Sequence, residues 1–220
     1  MAIFSLIDAA VKVPSRVVVL DIFRSSNTII EILYRGADRI IPVESLDEAR
    51  TLKESNPDWL LFAEREGKRV SGSDGDSSPA NVSDDVSGRT VILTTSGGTR
   101  CLTACDGSYD VFVGSFINAA TVIRYLRMSE GEEPGFWAVG QRAEQTVKED
   151  EACALYLDKL WHGESLNFES ALDELRHCDG AQRLMSLGQQ DDLEYCLMLN
   201  KRDVLPKRHR FNEQLWCLTA

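Results

Sequence analysis

The chain has 220 residues, 43% of them hydrophobic and 27% charged, which suits a globular protein able to bury a sizeable core. A formal net charge of -11 excludes a general nucleic-acid binder, whose affinity would rest on lysine and arginine against phosphates, so an anionic ligand must meet a local positive site. The opening "MAIFSLIDAAVKVPSRVVVL" has no basic n-region and its apolar stretch is broken by Asp8 and Lys12, which fits neither a signal peptide nor a membrane span and predicts a cytoplasmic protein.

In chain order, Val17 to Asp21 is β-branched and apolar, the pattern of a central parallel strand covered on both faces, and Ser25 to Arg35 then has helical spacing that stops at Gly36. "DRIIPVE" predicts a second strand, and "SLDEARTLKES" opens with Ser45 three residues before Glu48, a capping-box signature for the next helix. From Glu64 to Gly88 the chain is rich in Gly, Ser and Asp with little periodicity, which by itself reads as a surface insertion. "RTVILTTSGGTRCLTAC" and "YDVFVGSFINAATVIRYL" each repeat strand, small-residue turn and helix, and "GFWAVGQ" is a further strand. After Lys148 the pattern is helical almost throughout: "EDEACALYLDKLW", "NFESALDELRHC", "AQRLMSLG" and "DDLEYCLML" have i, i+3, i+4 apolar spacing. The expectation is one α/β domain over 1–220. Residues 1–147 form a mostly parallel sheet with flanking helices, and 148–220 form a helical part packed on it.

Six cysteines (Cys101, Cys105, Cys153, Cys178, Cys196, Cys217) form no C-x-x-C pair and read as buried free thiols rather than zinc ligands or disulfides. No aspartyl-phosphatase D-x-D, C-x5-R loop, R-H-G, P-loop or G-x-G-x-x-G is present, and His162, His177 and His209 fall outside the strand-end motifs.

In an open α/β sheet, ligands bind beyond the carboxyl ends of the strands. That rule gathers "DIFRSSNT", "TTSGGTR" and "VGSFIN" at one edge, where helix N-termini and the arginines Arg24 and Arg100 suit a phosphate or sulfonate. Taken singly, Ser25, Thr99 and Asn118 are equally explained as helix caps. Asp21 ends a buried strand, where a carboxylate has to be paired, hydrogen-bonded or metal-bound. With Asp74, Asp76, Glu149, Asp150 and Glu151 it offers the oxygen donors that Mg2+ prefers, although Asp74 and Asp76 also fit a turn and the run at 149–151 an acidic first helical turn.

The motifs "VVVLDIFRSSNT", "AEREG", "SGSDGDSSP", "VILTTSGGTR", "VGSFINA" and "KEDEACA" resemble, in sequence and spacing, those of the 2-phosphosulfolactate phosphatase family over most of the chain. The resemblance implies a Mg2+-dependent phosphatase converting 2-phospho-3-sulfolactate to 3-sulfolactate, a step towards coenzyme M. It makes the stretch from Glu64 to Pro79 a wall of the site. Carried over by position, it implies catalytic roles for Asp21, Arg24, Glu64, Asp74, Arg100 and Asp150, with Glu64 or Asp150 as general base. It implies substrate contacts from Arg65, Ser78, Thr95, Thr99, Ser115 and Asn118, beside Ser25 from the turn reading, and Mg2+ ligation by Asp21, Asp74 and Glu149. The expected partner is a small anionic phosphorylated substrate, with no nucleic acid and no membrane; the oligomeric state is left open. The chain departs from the family pattern at Phe23, Ser26, Asn27, Asp76, Ser77 and Gly97, so another phosphorylated hydroxyacid, or a non-catalytic organophosphate binder, is the alternative expectation.

Overall fold

A β-branched run without polar interruption is stable only where both faces are covered. In the computed structural model, which describes residues 3–5, 14–104, 110–164 and 167–220, such a run forms β2 (Arg16–Leu20), buried at every position. It lies parallel between β7 (Asp110–Val113) and β8 (Gly135–Ala138), with β1 (Ile3–Ser5) parallel on the far side of β8. A second parallel group contains β3 (Arg39–Pro42), β6 (Thr90–Thr94) and β4 (Leu60–Arg65), edged by the short antiparallel β5 (Lys68–Arg69).

The two parallel groups are joined by an antiparallel hairpin, β9 (Lys207–Arg210) and β10 (Trp216–Thr219), with β9 against β7 and β10 against β3. The order across the ten-stranded sheet is β1-β8-β2-β7-β9-β10-β3-β6-β4-β5. Residues 148–220 are therefore not helical to the end. The short alternating segments around "KRHR" and "WCLT" lack the length of the helical runs before them, and they fill the middle of the sheet.

Successive residues of β2 face opposite layers, as the two-residue period requires. Val18 and Leu20 pack with α4 (Ala119–Met128), α5 (Lys148–Trp161), α6 (Phe168–Leu175), α7 (Asp179–Ser186) and α8 (Gln190–Cys196). Val17 and Val19 pack with α1 (Ser25–Tyr34) and α3 (Gly98–Ala104). Half of the expected capping box opens α2 (Leu46–Ser55), where Ser45 Oγ accepts from the Glu48 N–H at 3.0 Å.

The stretch from Glu64 to Gly88 is not a loose surface insertion. Asp74 N donates to Leu61 O at 2.7 Å and Ala63 N to Gly75 O at 3.0 Å, so the chain folds back along β4. Ser73, Ser77, Ser78, Pro79, Val82 and Val86 are buried. Gly, Ser and Asp serve here as turn formers, which is why no periodicity marks the segment. Cys101, Cys153, Cys178, Cys196 and Cys217 are buried thiols outside any disulfide, and Cys105 lies outside the described residues. Among the described residues no helix is long and apolar enough to cross a membrane.

Candidate active site

Each parallel strand of an α/β sheet delivers its following turn to the same edge, and here those turns enclose a cavity of about 270 Å³. Its walls are Asp21, Phe23, Arg24 and Ser25 after β2, Glu64, Glu66 and Gly67 at the end of β4, and Thr95 to Gly97 after β6. The segment from Gly140 into the first turn of α5 and the start of α7 complete it. The N-termini of α1, α5 and α7 point at one space, which favours negative charge there.

Asp21 stands at the floor of the cavity. Its N–H donates to Ser26 Oγ at 2.9 Å. Burial, with the neighbouring charge of Glu64 added, pushes its carboxyl pKa from 3.8 to about 7, against the pull of the Ser25 N–H and Arg183. A methyl group at Gly98 would lie 2.8 Å from Asp21 Oδ2 and 2.5 Å from Ser25 Oγ, so only glycine lets α3 start this close. The same holds at Gly180, where a Cβ would stand 2.2 Å from Glu149 Oε1.

Asp150 is held from both sides: Oδ1 accepts from Ile22 N and Oδ2 from Gly140 N, each at 2.8 Å. Burial, then the charges of Asp21 and Glu149, raise its pKa well above the ordinary carboxylate value. Glu149 is also raised, chiefly by burial, and receives the Cys178 thiol at 3.5 Å. Three desolvated carboxyls on one cavity cannot all ionise near neutral pH without a compensating cation or proton. Glu64 accepts from the Gly67 N–H and, at 3.2 Å, from Ser96 Oγ, tying the β4 turn to the β6 turn.

The cations are arranged differently from the motif reading. Arg24 lines the cavity, but its Nη1 donates to Asp192 at 2.5 Å and its Nη2 to Gly67 O at 3.0 Å. Arg100 does not line the cavity; it donates to Arg142 O at 3.0 Å and pairs with Glu144 at 3.6 Å, bracing the loop after β8. Three cations absent from the sequence reading do line it: Arg142, Lys148 and Arg183. Nothing in the spacing of α7 distinguishes Arg183 from an ordinary helix-surface charge; tertiary packing alone brings it to the site.

A scan against family models matches residues 2–210 to 2-phosphosulpholactate phosphatase. Relatives named "Probable 2-phosphosulfolactate phosphatase" align along most of their length. One from Caldicellulosiruptor saccharolyticus is 33% identical, over 83% of this chain and 84% of its own. Others, from Symbiobacterium thermophilum (32% identical, over 86% of this chain and 89% of its own) and Carboxydothermus hydrogenoformans (33%, over 88% and 86%), agree with it. The chain belongs to the 2-phosphosulfolactate phosphatase family.

The family motifs divide into residues that face the cavity and residues that support it. Asp21, Arg24, Ser25, Glu64, Thr95, Glu149 and Asp150 face it. Thr95 and Thr99 cap one another, each N–H donating to the other's hydroxyl at 3.2 Å. Ser115 and Asn118 form a buried capping box, with Ser115 Oγ donating to Asn27 at 3.0 Å and Asn118 Nδ2 to Val204 O at 2.9 Å. Arg65 donates to Glu64 O at 2.7 Å and Thr94 Oγ1 at 2.9 Å, and Ser78 donates to Asp192 at 2.7 Å.

Asp74 is placed apart from the carboxylate group. It accepts from Leu61 N at 2.8 Å and pairs with Lys53 at 3.1 Å, on the outer side of β4. The positions at which this chain departs from the family pattern include three on the cavity wall, Phe23, Ser77 and Gly97. The hydroxyl oxygens of Ser25 and Ser77 are buried there without a hydrogen-bond partner.

Proposed function

We propose that this phosphoric monoester hydrolase acts on 2-phospho-3-sulfolactate, releasing 3-sulfolactate and inorganic phosphate. The observation that carries this reading is the cluster of Asp21, Glu149 and Asp150, raised in pKa, facing Arg183 and the unpartnered hydroxyls of Ser25 and Ser77 across one cavity. A site for anions alone would gain nothing from three desolvated acids. A site for proton transfer beside a phosphoryl group uses them.

Asp21 is the proton-transfer group in this reading. A carboxyl that titrates near neutral pH is matched to accepting the proton of an attacking water as the phosphate ester bond breaks. Asp150, with both oxygens committed to backbone N–H groups, orients the β2 turn against the start of α5. Glu64 sets the turns that carry Gly67 and Ser96.

The donor set also fits Mg2+. Among the described residues no three His, Cys, Asp or Glu side chains converge as a complete cage. Mg2+ commonly takes one or two carboxylates and completes its shell with water and substrate phosphate. Glu149, beside Asp21, would hold it, with Asp74 left outside, and the ion would neutralise phosphoryl charge and acidify water.

Ser77 and Gly97, each replacing an amide of the family pattern on the cavity wall, favour a second reading in which the substrate is a different phosphorylated hydroxyacid. Phosphate release from 2-phospho-3-sulfolactate and a panel of phosphohydroxyacids, with Mg2+ and with chelator, separates the two. Release lost in Asp21→Asn supports the site. No release from any phosphoester overturns the reading.

A further inference from the structure

Resting on the phosphatase reading, we infer that Arg183, on α7, is the side chain that grips the phosphoryl group, the task the motif order suggests for Arg24. A cation that binds substrate phosphate must present unengaged N–H groups to the cavity beside the reacting acids. Arg24 is engaged by Asp192 and Gly67 O. Arg142 is exposed and paired with Glu66 at 2.9 Å across the cavity mouth, and Lys148 is exposed.

Arg183 meets the requirement. Among the described residues its one hydrogen bond is a long contact from Nη2 to Phe23 O at 3.4 Å, and its Nε is buried without an acceptor. It lines the same cavity as Asp21 and Glu149, yet forms no ion pair with either. In the cavity that this fork shares with two carboxyls, a phosphoryl group would accept from the free donors, the carboxyls being compensated by a cation or by protons. Ser25 Oγ, buried without a partner at the N-terminus of α1, borders the same space.

The helix that carries the guanidinium is also held in position. α7 begins beside Cys178, whose sulfur accepts from the Ala181 N–H at 3.5 Å while its thiol donates to Glu149. Movement of α7 is thereby coupled to Glu149 as well as to Arg183. The helical C-terminal part of the chain supplies the cation that the strand-end turns lack.

The test compares wild type with Arg183→Gln, Arg183→Ala and Arg183→Lys in two independent assays: turnover of 2-phospho-3-sulfolactate, and titration calorimetry with inorganic phosphate. Loss of one preorganised charge at the transferring group should lower kcat/KM of Arg183→Gln by about 10²–10³-fold. Phosphate affinity should fall with it, and added guanidinium should raise the rate of Arg183→Ala but not of wild type. Arg183→Lys, which keeps charge and loses the fork, should fold normally and still lose activity.

If Arg183→Gln, or Arg183→Lys should the former not fold, keeps kcat/KM and phosphate affinity within about twofold of wild type, the inference is overturned while the phosphatase reading stands. If wild type releases no phosphate, the phosphatase reading fails. The calorimetric comparison then still decides whether Arg183 binds phosphate.

Discussion

Arg24, in the turn after β2, and Asp192, on α8, meet at 2.5 Å with both side chains almost wholly out of water. Asp192 also accepts from Ser78 Oγ at 2.7 Å and Ala80 N at 3.1 Å, so this one carboxylate fastens the β2 turn, the β4 turn and α8 together. An arginine held this way acts as a structural tie whose removal leaves a buried charge behind. Arg24→Ala should cost about 3–5 kcal/mol in urea unfolding. Arg24→Met with Asp192→Leu should recover part of that loss. A stable Arg24→Ala protein would show that the pair carries little of the fold.

The Asp21 carboxyl keeps its proton to about pH 7 when folded and releases it near 3.8 when not. Between these values the folded chain binds more protons, so stability falls as pH rises, by up to about 1.4 kcal/mol per pH unit for one such group. Below the window both states are protonated, and above it both are charged, so the loss levels off. Asp150 and Glu149 are shifted in the same direction and add to the slope. Urea titrations of chelator-treated protein at the two ends of the window should show Asp21→Asn more stable than wild type at the upper end and equal to it at the lower. Mg2+ should narrow the difference at the upper end.

Asp150 separates orientation from chemistry. Its removal in Asp150→Ala strands the N–H groups of Ile22 and Gly140, at about 1–3 kcal/mol for each unsatisfied buried donor. Asp150→Asn keeps an acceptor for one of them and should be destabilised by less. Thermal melts rank the two, and equal melting temperatures would remove the tie between β2 and α5 from the argument.

Asp74 offers the sharpest check on the site's boundary. Burial alone would raise its pKa, but the Leu61 N–H and Lys53 outweigh that and hold it below 3.8. Its interactions are partly exposed, so Asp74→Asn should cost no more than about 1 kcal/mol and leave kcat unchanged. A large fall in kcat would return Asp74 to the catalytic group.

The parallel sheet and its helices were legible because buried strands and amphipathic helices leave periodic marks. β2, α1, the Ser45 cap and the four C-terminal helices were all visible in this way. The hairpin of β9 and β10 was not, since short strands such as "KRHR" carry mixed exposure and no clean alternation. At the site, Asp21 was visible as an acid at a strand end and Glu149 and Asp150 as acids at a helix start, whereas Glu64 was marked only by the family resemblance. Their division from Asp74, Ser115 and Asn118 was not, because spacing cannot tell a side chain that faces a cavity from one that braces the wall behind it. Arg183 carried no signal at all in the sequence.

The hairpin of β9 and β10 also sets a limit on how the molecule can be made. During synthesis every other strand leaves the ribosome before these two, and the two parallel groups must wait with the inner edges of β3 and β7 unpaired. Open edges of this kind template aggregation. The sheet therefore closes only after residues 207–219 have emerged, and it is in that interval that its open inner edges would call for chaperones.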